Sequence, residues 1–229
     1  MNKLKMLFVL LLPITLLGQQ NIEIGGFAGF ANYQGDLAPK NIEISETKVS
    51  FGGFIRYHLT DKVKIRANGY LGFISGSDFN DKNGTYRDRG WSFESKLFEA
   101  SLMGEYHPLG RSRSGETGIF RRQISPYVFA GVGMVNADPT VSVTLPEDEG
   151  LFPEKGFEPT HLVIPYGIGV RADLLEFVSL GFEGGYRLTF DDYLDGVKEN
   201  GVSNRDLYFF VGATLSVFFG SIEAYDFVK

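Results

Sequence analysis

The chain has 229 residues, 29 of them Gly and none Cys, with 21 Phe, 11 Tyr and one Trp. Lys and Arg number 22 against 28 Asp and Glu, a formal charge of -6, so the chain as a whole offers a nucleic acid no electrostatic attraction. The missing Cys excludes a disulfide scaffold, a thiolate metal site, thiol catalysis and a lipid-modified cysteine, and glycines without a G-X-Y period exclude collagen.

The first twenty residues, MNKLKMLFVLLLPITLLGQQ, set Lys3 and Lys5 before an apolar run from Met6 to Leu17 and a small, polar stretch from Gly18. That is the layout of a secretory signal, and the 12-residue run is shorter than the roughly 20 residues a helix needs to cross a bilayer. Residues 1–18 are read as a signal peptide, 19–220 as one folded domain and 221–229 as a short tail.

Beyond the signal, no apolar run reaches the 18 residues of a membrane helix, and the recurring pattern has period two. A weaker segment spans 22–33. In the next, Val49, Phe51, Ile55, Tyr57 and Leu59 alternate with Lys48, Ser50, Arg56 and His58. After a minimal turn at Thr60-Asp61, Val63, Ile65, Ala67, Leu71 and Phe73 alternate with Lys62, Lys64, Arg66 and Asn68. Phe98, Ala100, Leu102 and Tyr106 then oppose Glu99, Ser101 and Glu105, and weaker segments follow at 124–135 and 162–173. Val178, Leu180, Phe182, Tyr186 and Leu188 oppose Ser179, Glu183 and Arg187, and the final segment sets Leu207, Phe209, Val211, Leu215, Val217 and Phe219 against Gly212, Thr214 and Ser216. Each reads as a strand with one oily and one polar face.

Eight such strands fit either a soluble β-sandwich or a membrane barrel. Their length, roughly 9 to 13 residues, matches the 9–11 of a tilted transmembrane strand better than the usual 5–6 of soluble sheets. Connections alternate too: short at 60–61 and 173–176, long and polar at 34–47, 76–91, 136–160 and 190–205, with a basic insertion at 107–123 as the exception. The expected fold is all-β, an eight-stranded antiparallel transmembrane β-barrel of the outer-membrane type, with both termini in the periplasm. Tyr57, Tyr106 and Phe219 then meet at the periplasmic rim.

An eight-stranded barrel is filled by its own side chains. Arg56, Lys62, Lys64, Arg66, Glu99, Glu105, Arg171, Asp173, Glu183 and Arg187 are expected to form a neutralising lumen network, the alternative being a narrow charged conduit. For catalysis near the outer leaflet, only His161 and Ser203 are placed suitably, and neither His161 nor Ser203 sits in a G-x-S-x-G context. Asp191, Asp192, Asp195 and Asp206 could gather calcium but lack the spacing of a calcium loop, so a solvated turn is expected. Neither a metal nor a cofactor nor a small-molecule substrate is expected. In the insertion HPLGRSRSGETGIFRRQ, Arg111, Arg113, Arg121 and Arg122 face a single Glu116. They fit either a docking surface for a periplasmic protein or a loop against anionic lipid headgroups.

The segments IEIGGFAGFANYQGDL, FEASLMGEYHPLG, SPYVFAGVGM, IPYGIGVRADL and LGFEGGYRLTFDDYLDGV, in this order, resemble the PorG family of small outer-membrane barrels of type IX secretion systems in Bacteroidota. The stretch from Gly185 to Asp195 is the specific one. Gly196 and Lys198 stand where the family often carries Asp and Ser, which weakens a metal at this loop. The resemblance implies a barrel without catalysis that anchors or scaffolds the secretion machinery through its periplasmic ring subunits, machinery that in some relatives also serves gliding. The rival expectation is a free-standing OmpX-like surface barrel with partner-binding outer loops; a lipid-modifying enzyme ranks third.

Overall fold

The computed structural model describes residues 21–34, 47–77, 90–113, 119–144, 159–190 and 207–220. The eight segments are strands: β1 Ile22–Gln34, β2 Lys48–His58, β3 Val63–Ser77, β4 Ser92–Tyr106, β5 Gln123–Ser142, β6 Thr160–Asp173, β7 Val178–Thr189 and β8 Leu207–Phe219. Each pairs antiparallel with the next, and β1 pairs with β8 from Ile22↔Phe219 to Gln34↔Leu207, closing the sheet into a barrel. A closed wall leaves no strand edge for lipid to solvate. The expected signal peptide (1–18), the tail (221–229), Ser203 and the carboxylates of Asp191, Asp192, Asp195 and Asp206 lie outside the described residues.

Facing follows the alternation. Phe30, Phe51, Ile55, Leu102, Val132, Ile168, Phe182 and Leu215 point outward and are more than half exposed, whereas Glu23, Arg56, Arg66, Glu99 and Arg187 are buried inside. A water-soluble sandwich or barrel would have this pattern reversed, because apolar side chains leave water and charges stay in it. Apolar outside and charged inside is the arrangement lipid selects. In the register, Tyr57 and Phe219 flank Ile22 in one row, and Tyr106 pairs with Val63 at the same end, so exposed rings gather at the short-turn end of the wall.

Three strands run past the belt. β5 continues to Ser142, so residues 136–142, expected in a loop, are strand, and β4 begins at Ser92, well before Phe98. The pairs Ser77↔Ser92 and Ser92↔Ser142 extend β3, β4 and β5 together. Period two persists there with inverted polarity: Glu94, Lys96, Asn136 and Asp138 face out, Phe93, Leu97, Val135 and Ala137 face in. Above the belt the outside is water and the inside is an apolar core, so polarity changes sides while the backbone does not.

That inner core stacks Tyr33 on Phe93 edge-on at 5.0 Å, and Phe27 on Tyr70 at 5.2 Å. Glycine in the wall makes room for such rings. A Cβ on Gly169 would come within 2.4 Å of Cζ of Tyr127, so the ring lies directly against backbone.

Candidate functional site: the charged lumen and the basic cover of its short-turn end

Cross-strand register decides which charges meet. Glu23 pairs with Arg56 and Arg56 with Arg66, which puts two guanidiniums on neighbouring strands of one buried face. Like charges directly opposite repel. Here carboxylates are threaded between them. Glu105 accepts from Nε and Nη2 of Arg56 at 2.8 and 3.1 Å and pairs with Nε of Arg66 at 3.0 Å. Arg66 forks onto Glu183, Nη1 to Oε2 at 2.7 Å and Nη2 to Oε1 at 3.1 Å, and the hydroxyls of Tyr70 and Tyr127 donate to the same carboxylate. Such planar, two-pronged pairing is what a guanidinium does best.

Glu23 is the second hub. It holds Nη1 of Arg56 at 2.6 Å, Nη2 of Arg171 at 2.8 Å and Nε2 of His58 at 2.8 Å, and Ser216 Oγ donates to it. Further toward the long-loop end, Arg187 Nε and Tyr208 hydroxyl donate to Glu99 at 3.2 and 2.8 Å, with the guanidinium 4.4 Å over the Phe210 ring. Of the ten side chains expected in the lumen, nine are buried there. Lys62 is the correction. The β2–β3 turn occupies residues 59–62, with Thr60 Oγ1 accepting from the backbone N–H groups of Lys62 and Val63, so Lys62 precedes the strand and lies exposed.

The basic insertion also departs from expectation. Arg111, Arg121 and Arg122 are exposed, but Arg113 is buried. Its guanidinium enters the short-turn mouth of the barrel, donating to the Glu176 carbonyl at 2.7 Å, to Asp173 at 3.1 Å and to Ser179 Oγ, and it lies 4.7 Å over the Phe218 ring. It therefore closes the lumen and anchors its own segment. A second anchor is Gly110, where a Cβ would fall 2.1 Å from the carbonyl oxygen of Asp61, and Arg121 N donates to the Arg113 carbonyl at 3.0 Å. Since Arg113 cannot be both inside the barrel and free for a partner, the exposed basic set is Arg111, Arg121 and Arg122.

His107 follows β4 beneath this cover. Its ring stacks on Tyr127 at 4.7 Å, with Nε2 3.1 Å from Glu105 and Nδ1 3.3 Å from Ser125 Oγ. Burial, opposed by the Glu105 hydrogen bond and reinforced by Lys64, depresses its pKa to about 4, so the imidazole is neutral at pH 7. His161, a candidate base in the sequence, is the second residue of β6, at the edge of the loop as expected, and its side chain is buried. The sequence reading missed Glu23 as a hub and Arg113 as a plug. The first was visible as one carboxylate between outward Ile22 and Ile24; the second was not, because its partners lie 60 or more residues away.

Filled by paired charge at one end and aromatic packing at the other, the described lumen defines a transmembrane barrel of the outer-membrane type built as a plugged post. The chain belongs to the family described as a domain of unknown function, DUF6089, whose model matches residues 2–226. No curated protein matches it significantly. Among solved structures it is similar to Neisserial surface protein A (13% identity, 86% of this chain and 96% of that one, TM-score 0.48). It is also similar to OprG from Pseudomonas aeruginosa (10%, 87% and 98%, 0.43) and to Ail, the attachment invasion locus protein of Yersinia pestis (9%, 86% and 99%, 0.42).

Proposed function

We propose that this protein is a non-enzymatic outer-membrane anchor and scaffold of the type IX secretion machinery, with its termini and short turns in the periplasm and periplasmic ring subunits held against its basic cover. Arg111, Arg121 and Arg122 carry the proposal. They are exposed, have no acidic partner among the described residues, and sit on a segment that Arg113 and Gly110 pin to the barrel end. An arginine carried on a held backbone has less chain freedom to lose when it meets a carboxylate, which favours a lasting contact. The resemblance of LGFEGGYRLTFDDYLDGV to the PorG family points to the same machinery.

Changing Arg111, Arg121 and Arg122 to Ser while keeping Arg113 leaves the barrel folded and inserted. Secretion subunits should co-purify with the wild type from solubilised membranes and be lost from the variant, with reduced export. A wild-type barrel that purifies alone overturns the scaffold role. That outcome would favour a free-standing surface barrel, for which the outward Glu94, Lys96, Asn136 and Asp138 above the belt supply a polar face.

A further inference from the structure

Lipid touches the wall of a barrel, whereas its end faces water, and at the short-turn end that water-facing surface carries apolar side chains. Leu109 and Ile119 on the cover and Leu175 and Phe177 in the β6–β7 turn are 44–68% exposed. Apolar groups gathered in water mark a place where something else docks.

The four share one held surface. Arg113 joins cover to turn, donating to the Glu176 carbonyl, between Leu175 and Phe177, at 2.7 Å and to Asp173 at 3.1 Å. Its guanidinium lies 4.7 Å over the ring of Phe218, whose N–H donates to the Phe177 carbonyl at 2.8 Å. On the other flank Gln123, paired in register with Asp173, donates from Nε2 to the Leu109 carbonyl at 3.3 Å. Arg121, two residues from Ile119, is tied by its N–H to the Arg113 carbonyl. Cover and turn are thus cross-braced over the mouth of the barrel.

Composition separates a protein partner from a lipid surface. From His107 to Gln123 the chain has four Arg and no Lys. Arg set among apolar side chains, with Lys depleted, is the signature of a protein–protein interface, whereas anionic headgroups attract Lys and Arg alike. The exposed Glu176 in the middle of the turn would meet phosphates as a like charge.

We infer, on the scaffold reading above, that the contact at this end is anchored by apolar burial: Leu109, Ile119, Leu175 and Phe177 enter an apolar patch of a periplasmic ring subunit whose margin carries carboxylates opposite Arg111, Arg121 and Arg122. Burial of the apolar groups holds the complex together, and the arginines steer its approach and fix its register.

The experiment measures binding of the co-purified ring subunits to the full detergent-solubilised barrel. Ile119→Ser combined with Leu175→Ser should weaken binding about tenfold or more, whereas Ile119→Val combined with Leu175→Met should keep it. Neither pair touches a strand, so both should unfold at the wild-type midpoint. Raised salt should weaken wild-type binding only in part, because apolar burial is not screened. Should the serine pair fail to fold, each single change decides by the same criterion. Full binding by the serine variants, with binding still lost when Arg111, Arg121 and Arg122 are changed, overturns the apolar anchor and leaves the scaffold reading standing. A wild type that binds no ring subunit removes both. Serine variants that keep the subunits but insert less into phospholipid vesicles place the face on lipid and overturn the anchor, as does a wild-type dimer free of subunits that the serine pair dissociates.

Discussion

Glu105 accepts from Arg56 and also faces Arg66 and His107, so its loss leaves two adjacent guanidiniums without the charge that separates them. Breaking a buried pair from one side costs about 3–5 kcal/mol. Glu105→Ala should lower the unfolding free energy by about that much in urea titrations of the refolded barrel, and Lys48→Ala, whose bridge to Glu94 is exposed, by less than about 1 kcal/mol. His107 supplies a pH signature. Its pKa is near 4 in the folded barrel against 6.5 for the free side chain, so between these values the unfolded chain holds one more proton. Its contribution is complete above about pH 6.5 and is lost as pH falls toward 4. Facing it are Glu105, Lys64, Arg56, Ser125 and Tyr127. His107→Gln should flatten the fall in stability across that window relative to wild type. A third test concerns glycine: Gly169→Ala should destabilise because its Cβ meets the Tyr127 ring, whereas Gly69→Ala, with nothing within 4 Å, should not.

At the scale of the strand, the two faces and the two zones along the barrel axis predict different penalties. Ala67 lies outward near the middle of the belt on β3, where an arginine should cost about 2–4 kcal/mol. Asn136 faces out on β5 above the belt, where arginine should cost about 0–1 kcal/mol. Equal losses for Ala67→Arg and Asn136→Arg in refolding into lipid vesicles would remove the placement of the belt edge. Asn68, by contrast, points into the filled lumen and is buried there, so an arginine at that position is no mild change either. These zones also show what was legible in the sequence. Period two located all eight strands, since alternation is a property of the backbone. It misjudged where β5 ends because "apolar out" holds only within lipid: at Asn136 and Asp138 the pattern continued with polarity exchanged and read as loop. Lys62 failed for the opposite reason, since alternation was carried one residue into a turn whose geometry Thr60 sets. Arg113 had no local signal, its contacts being with β6, β7 and the turn between them.

As a whole, the molecule is a post with paired charge at one end and interlocked rings at the other, joined by Arg66, Glu183, Tyr70 and Tyr127. Planar-bilayer recordings of the purified monomer should show no stable conductance; large reproducible openings would revive the conduit. The wall has one seam, where β1 meets β8, and the first charged side chain after that seam is Glu23. Its partners come from β2, β6 and β8, and the contacts to Arg171 and Ser216 cannot form while the sheet is open. An unclosed sheet in a bilayer would present Glu23 with Arg56, and Arg171 with Asp173, to hydrocarbon as separate polar patches. Assembly is thereby made all-or-none: strands can gather at the membrane surface, but the sheet sinks into lipid only as its first and last strands meet.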